Sequence, residues 1–143
     1  MGKTKPFVLN SWEVMPFTSD GQYLSRMMLD DSFVGQETVQ LNEGTFAPLA
    51  TMELGAHDDH EIYYIVKGSG TLQLDDEMFD IRQGTTVFIP AGCMHKVTNT
   101  SPTDTLVLIT VWRNRLENHM LQARQAAWGT LLRRVDANGN EVK

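Results

Sequence analysis

The sequence predicts an all-β protein, an antiparallel sandwich or barrel, followed by a helix. Two observations predict the sheet: the middle of the chain holds short segments rich in β-branched and aromatic residues, and Gly, Pro and Asp interrupt them at close spacing. A third observation predicts the helix, because the spacing of apolar residues changes to a helical period after residue 114.

Seven segments have the composition or the alternation of β-strands. They cover residues 37–41, 45–54, 62–66, 71–74, 78–82, 86–89 and 105–112. Turn-forming residues separate most of them, at 42–44, 75–77, 83–84 and 90–92. This arrangement predicts a meander of antiparallel strands.

The two ends of the chain differ from this middle. Apolar residues recur at helical spacing at Leu116, Met120, Ala123 and Ala127, which predicts a helix on the outside of the barrel. Residues 7–28 mix aromatic residues and methionines without a clear period, which indicates an arm packed over the barrel or onto a second subunit.

The chain length suits a single domain over residues 1–143. Within it we expect an arm over 1–36, a core barrel over about 37–112, and a helix and tail over 113–143.

The charge, the cysteine count and the first residues argue against nucleic-acid binding, an internal disulfide and a membrane partner. Twelve Lys and Arg against 18 Asp and Glu give a net charge of -6, without a basic run to bind a phosphate backbone, so nucleic acid is not expected. The single cysteine, Cys93, cannot form an internal disulfide. The first residues lack the apolar stretch of a signal or a membrane helix, so we expect a cytoplasmic protein without a membrane partner.

The segment GAHDDHEIYYIVKGSG, residues 55–70, concentrates histidines and carboxylates before a strand. A turn over residues 58–60 returns the chain so that His57 and Glu61 lie beside each other. An imidazole and a carboxylate suit a divalent transition metal such as Fe, Mn, Ni, Co or Zn. The alternative for this segment alone is a solvated acidic turn.

A second segment, GTTVFIPAGCMHKVTN, supplies a third donor, His95. Here the chain resembles the cupin superfamily. The spacing of five residues is that of the second cupin motif: Gly84, Pro90, Gly92, His95 and Asn99. The resemblance covers roughly residues 45–112. It implies an antiparallel jelly-roll barrel with a metal inside near one mouth, and often a homodimer.

The first segment is similar to the first cupin motif, with one departure. Glu61 and Gly68 keep the family interval and His57 falls on the second histidine, but Gly55 stands in place of the first. The usual shell of three histidines and one glutamate is therefore incomplete.

Two arrangements could complete the site. Either His57, Glu61 and His95 bind the metal alone and leave positions open, or His60 turns inward as a fourth ligand. Residues 55, 57, 59 and 61 share strand parity and His60 does not, which favours the three-ligand arrangement.

The resemblance and the residues together predict a metal-dependent cupin that acts on a small polar organic molecule. We expect a dioxygenase, or a lyase or isomerase, in which the substrate binds the metal through a chelating group. Tyr63 shares parity with Glu61 and should point inward, so Tyr63 or His60 is expected to assist proton transfer. The alternative is a non-catalytic cupin that binds a small molecule or a metal as a sensor or a store.

Overall fold

The computed structural model describes residues 6–14, 16–18, 21–29 and 39–113. A short 3-10 turn, Ser11–Glu13, precedes the strands. Eight strands follow: β1 Tyr23–Leu29, β2 Val39–Phe46, β3 Glu61–Lys67, β4 Ser69–Leu74, β5 Glu77–Arg82, β6 Thr86–Ile89, β7 His95–Thr98 and β8 Leu106–Arg113. The strands predicted over 62–66, 71–74, 78–82, 86–89 and 105–112 are confirmed within one or two residues at each end.

The strands form two antiparallel sheets that face each other as an all-β jelly-roll barrel. The larger sheet has the order β1-β2-β8-β3-β6 and the smaller one has the order β5-β4-β7. Strand β8 lies at the centre of the larger sheet, between β2 and β3. The smaller sheet therefore closes the barrel over the inner face of the larger one.

Alternation along the strands sets the inner face. In β8 every second residue is buried, from Leu106 to Trp112, and β2 follows the same period. The core is a cluster of apolar side chains from both sheets, with Cys93 among them: Phe46, Ala50, Tyr63, Ile65, Leu72, Ile81, Val87, Ile89, Cys93, Val97, Leu106 and Leu108. The predicted site residues lie at one end of this core.

The turn predicted at residues 42–44 is wrong, because β2 runs straight through them. Asn42 is completely buried and accepts a hydrogen bond from the Ser25 hydroxyl, so a turn-forming residue is satisfied inside the sheet. A Cβ at position 44 would lie 3.1 Å from the Tyr23 ring, which explains the glycine there by close packing.

The segment predicted as an irregular arm contributes strand β1 to the edge of the larger sheet. The alternation of this strand is not visible in the sequence, because its buried positions include a polar residue, Ser25, as well as the apolar Met27. The helix predicted after Asn114, with its tail, lies outside the described residues, and the homodimer stays a prediction. Among the residues that the structure describes, no helix could cross a membrane.

Candidate metal centre

Glu61 is the first residue of β3, and the sheet directs its side chain into the barrel. In the strand register it lies between Trp112 of β8 and Ile89 of β6, and only 4% of its surface is exposed. A carboxylate this deeply buried needs a cation or several hydrogen-bond donors nearby.

His95 begins β7, and the preceding loop fixes its position. The Met94 backbone N–H donates a hydrogen bond of 2.9 Å to Oδ1 of Asp75, and the Asp75 N–H donates one of 2.7 Å to the Met94 carbonyl. Nδ1 of His95 donates to the Cys93 carbonyl at 3.0 Å. Since Nδ1 carries the hydrogen, the lone pair of the neutral ring is on Nε2.

His57, in the turn before β3, is held by similar backbone contacts. Its Nδ1 donates to the Asp59 carbonyl at 2.9 Å, and its own carbonyl accepts from the Gly92 N–H at 2.8 Å. The second contact joins the turn before β3 to the turn before β7. The His57 side chain is 25% exposed, so this histidine lies at the mouth of the barrel.

The three side chains converge on one point. Nε2 of His57 lies 2.7 Å from Oε2 of Glu61, and Nε2 of His95 lies 3.7 Å from the same oxygen. All three donor atoms lie within 4.8 Å of one another. Donors about 2.1 Å from a shared metal are separated by about 3 Å at a right angle and at most about 4.2 Å, so only a small contraction is needed. The donor set fits a first-row transition metal.

Electrostatics at the mouth favour a bound cation. The hydrogen bond to Glu61 raises the pKa of His57 above its ordinary value of 6.5, partial burial opposes it, and the Glu61 charge adds to the rise. Without a metal, a proton between Nε2 and the carboxylate balances the Glu61 charge. A metal ion would take the place of that proton.

His60 lies outside the converging group. Its Nδ1 accepts a hydrogen bond of 2.9 Å from the Ala91 N–H, and its ring lies 5.4 Å from that of Phe88. Nδ1 is therefore occupied, and the side chain is exposed. His60 thus lies apart from His57 and Glu61, with which it does not share strand parity.

Tyr63 points inward, as its parity predicted, and is 3% exposed. Its ring lies edge-on to the His95 ring, with 6.1 Å between the ring centroids. The side chain thus forms part of the inner wall beside His95.

Two positioning features were missed by the sequence reasoning. Asp75 was assigned only to a turn, and it also anchors the loop that carries His95. Asn99 was noted as part of a motif, and its amide proves to hold three backbone carbonyls at the far end of β7. A turn aspartate and a motif asparagine are visible in the sequence, but their partners, 19 and up to 53 residues away, are not.

Cys93 is not one of the converging donors. Burial, together with the nearby Asp75 charge, raises the pKa of its thiol, and the Sγ lies 3.5 Å from the Met94 carbonyl. A raised pKa keeps the thiol protonated at neutral pH, so the group behaves as a small buried side chain.

Comparison with known sequences identifies the family. The model of the cupin domain matches residues 42–112, which contain all three converging residues. This chain is a cupin. The intervals of Gly84, Pro90, Gly92, His95 and Asn99 are therefore those of a true cupin motif, and the incomplete first motif at Gly55 is a departure within the family.

Two related proteins and one solved structure show how far the likeness extends. Uncharacterized protein MJ1618 of Methanocaldococcus jannaschii is 28% identical over 99 residues, covering 68% of this cupin and 70% of that protein. Auxin-binding protein 1 of Arabidopsis thaliana is 32% identical over 100 residues, covering 63% of this cupin and 50% of that protein.

A predicted oxalate decarboxylase from Thermotoga maritima superimposes with a TM-score of 0.67 at 20% identity. The match covers 76% of this cupin and 100% of that chain. At this level of identity the likeness establishes the fold, and the activity must be argued from the site.

Proposed function

We propose that His57, Glu61 and His95 hold a divalent transition metal, Fe, Mn, Ni, Co or Zn, and that this cupin acts on a small polar organic molecule. The observation that carries the proposal is the convergence of two imidazole Nε2 atoms and one carboxylate oxygen within 4.8 Å at the mouth of the barrel. Three protein donors leave coordination positions open for a ligand.

The chemistry we favour is that of a dioxygenase or of a lyase or isomerase. A bound metal would supply Lewis acidity and, if it is iron, dioxygen chemistry. The protein residues orient the donors: the Cys93 and Asp59 carbonyls fix the tautomers of the two histidines. A chelating carboxylate, hydroxyl or diketone on the substrate would complete the site.

Tyr63 and His60 are the proposed proton-transfer groups. Tyr63 lies in the inner wall with its ring edge-on to His95, and in this proposal its hydroxyl contacts the ligand. His60 lies at the rim with Nδ1 accepting the Ala91 N–H, so the transferable proton would be on Nε2.

The second candidate function is a non-catalytic cupin that binds a small molecule or a metal as a sensor or a store. The similarity to a relative named for binding auxin favours it.

Metal analysis of protein purified without an affinity tag tests the proposal. We expect close to one transition metal ion per chain in the wild type and background levels in His57→Ala. Iron would favour oxygen chemistry, and zinc or nickel would favour lyase or isomerase chemistry. A wild-type protein that stays metal-free after incubation with each of these ions would contradict the proposal.

A substrate screen that monitors dioxygen uptake and ligand binding then separates the two candidates. Turnover of a chelating substrate by the metal-loaded wild type, lost in His57→Ala, supports an enzyme. Saturable binding of the same compounds, without conversion under air or under nitrogen, supports the binding protein instead.

A further inference from the structure

Gly55 lies directly opposite His95 in the barrel wall. The two residues form an isolated antiparallel bridge, in which the Gly55 N–H donates to the His95 carbonyl at 3.2 Å and the His95 N–H donates to the Gly55 carbonyl at 2.8 Å. Side chains of residues paired in this way point to the same side of a sheet, with Cβ atoms about 5 Å apart. A side chain at position 55 would therefore lie beside His95 on the inner side.

A one-residue offset brings Gly55 to this side. Thr51 pairs with Thr98, so four positions separate Thr51 from Gly55, while three separate Thr98 from His95. An extra residue in one of two paired segments reverses which side its residues face. Thr51 lies with the outward Thr98 hydroxyl, 2.7 Å away, and Gly55 lies with the inward His95.

Packing does not require a glycine at position 55. A Cβ there would meet no atom within 4 Å, and the residue is not among those with positive φ. Two other glycines of the barrel differ in packing: a Cβ at Gly70 would lie 2.2 Å from the Thr98 carbonyl oxygen, and one at Gly68 would lie 2.5 Å from that of Thr105. Gly84 and Gly92 have open space but positive φ. Open space at Gly55 thus stands beside a proposed metal ligand.

We infer that the space beside His95 at Gly55 admits the second donor atom of a bidentate oxygen ligand, such as a hydroxamate, a hydroxy acid or a catechol. Gly55 is then the position that sets the denticity of the ligand. The inference rests on the proposed metal centre, since the second donor needs a metal to bind.

The chemistry of the donor set supports a chelating ligand. Around a six-coordinate metal, two histidines and one carboxylate would supply three ligands and leave three positions for other donors. A fourth protein ligand at position 55 would remove one of them. A chelate gains affinity over two separate donors because its second contact forms within one molecule.

Three variants distinguish filling the open space at position 55 from adding a metal-binding side chain there. Gly55→His adds a donor and fills the space, Gly55→Leu fills the space alone, and Ala56→His places the same imidazole at the exposed neighbouring position. Cobalt(II) is the metal probe, followed by its visible absorption. Acetohydroxamate is the bidentate probe, and azide is the monodentate one.

We expect wild-type cobalt protein to bind acetohydroxamate at least about tenfold more tightly than azide. Gly55→His should bind cobalt at least about tenfold more tightly and acetohydroxamate at least about tenfold more weakly than the wild type. Gly55→Leu should weaken acetohydroxamate similarly and leave the cobalt affinity within about threefold, because it adds no donor. Ala56→His should match the wild type in both.

Two results would overturn the role of Gly55 alone, and a third would overturn the metal centre on which it rests. Cobalt and acetohydroxamate affinities unchanged in Gly55→His, or no preference of the wild type for acetohydroxamate over azide, would overturn it while leaving the metal centre intact. The second of these needs no variant, so it decides even if a substitution prevents folding. A wild type that binds no cobalt would overturn the proposed metal centre itself.

Discussion

The two ends of strand β7 differ in how their polar groups are satisfied. At its far end, the Asn99 amide is 1% exposed; Nδ2 donates to the carbonyls of Phe46, Ala47 and Asp104 at 2.8 to 3.1 Å, and Oδ1 accepts the Ser101 N–H at 3.0 Å. At its near end, His95 faces another imidazole and a carboxylate, and all three direct donor atoms at one another.

This difference separates an end that stabilises the barrel from the end that holds the proposed metal site. Every polar atom of the Asn99 side chain has a partner within the chain, so this end is complete without a ligand. The near end has few hydrogens for its acceptors, since both Nδ1 hydrogens are donated to backbone carbonyls and one proton lies between Nε2 of His57 and Glu61. Substitutions at the two ends should therefore change different measurable quantities.

The largest expected effect on stability is that of Asn99→Ala. Removing a buried amide that joins three carbonyls and one N–H should lower the free energy of unfolding by about 3 kcal/mol. Chemical denaturation of the metal-free protein measures it, and Thr100→Ala at the exposed neighbour is the control, with a change within about 0.5 kcal/mol.

In the same Asn99→Ala protein, the metal affinity of the folded fraction should stay within about threefold of the wild type, because Asn99 contacts none of the three donors. A metal affinity that fell together with stability would show that the two ends of β7 are coupled.

Glu61→Gln should lower the metal affinity strongly and change the stability little. The change keeps the shape of the side chain and removes the negative charge of the donor set, so the affinity for zinc should fall at least about 100-fold. Competition against a chromogenic chelator measures this. The free energy of unfolding of the metal-free protein should change by less than it does in Asn99→Ala, and an unchanged zinc affinity would remove Glu61 from the site.

The dependence of zinc affinity on pH should follow His57. Because the Glu61 hydrogen bond raises the pKa of His57, the metal-free site binds a proton that zinc must displace. Affinity should therefore fall about tenfold per pH unit as the pH drops below that pKa, and level off above it.

The stability of the metal-free protein should show the reverse trend. A raised folded-state pKa contributes stability that is full below the ordinary value of 6.5 and is lost as the pH rises through the folded value. This contribution should become smaller in Glu61→Gln, where the Asp59 carbonyl and the Asp59 charge still raise the pKa of His57. A zinc affinity independent of pH between about pH 5 and about pH 8 would contradict the assigned role of His57.

The sequence was sufficient where a feature depends on local composition or on fixed intervals. Strand β3 is visible from its β-branched and aromatic residues, and the inward side of Glu61 follows from parity. The interval from Gly84 to Asn99 is a local pattern as well, since its glycines, at φ 89° for Gly84 and 83° for Gly92, make the turns before and after β6.

Features that depend on distant partners could not be predicted. Asn42 is accommodated inside a strand because Ser25, 17 residues earlier, donates to its amide oxygen. Gly55 shares strand parity with Glu61 in the sequence, but its pairing with His95 depends on an extra residue relative to β7, which no local pattern shows. Pairing across the barrel, rather than propensity, decides such positions.

The smallest expected effect is that of His60→Ala, which tests the boundary of the metal end. His60 is exposed and its Nδ1 accepts one backbone hydrogen bond, from Ala91, so its removal should change the zinc affinity by less than about threefold and stability by about 0.5–1 kcal/mol. His57→Ala, which removes a converging donor, is the matched comparison. A loss in His60→Ala as large as in His57→Ala would mean that the side chain turns inward on metal binding and acts as the fourth ligand.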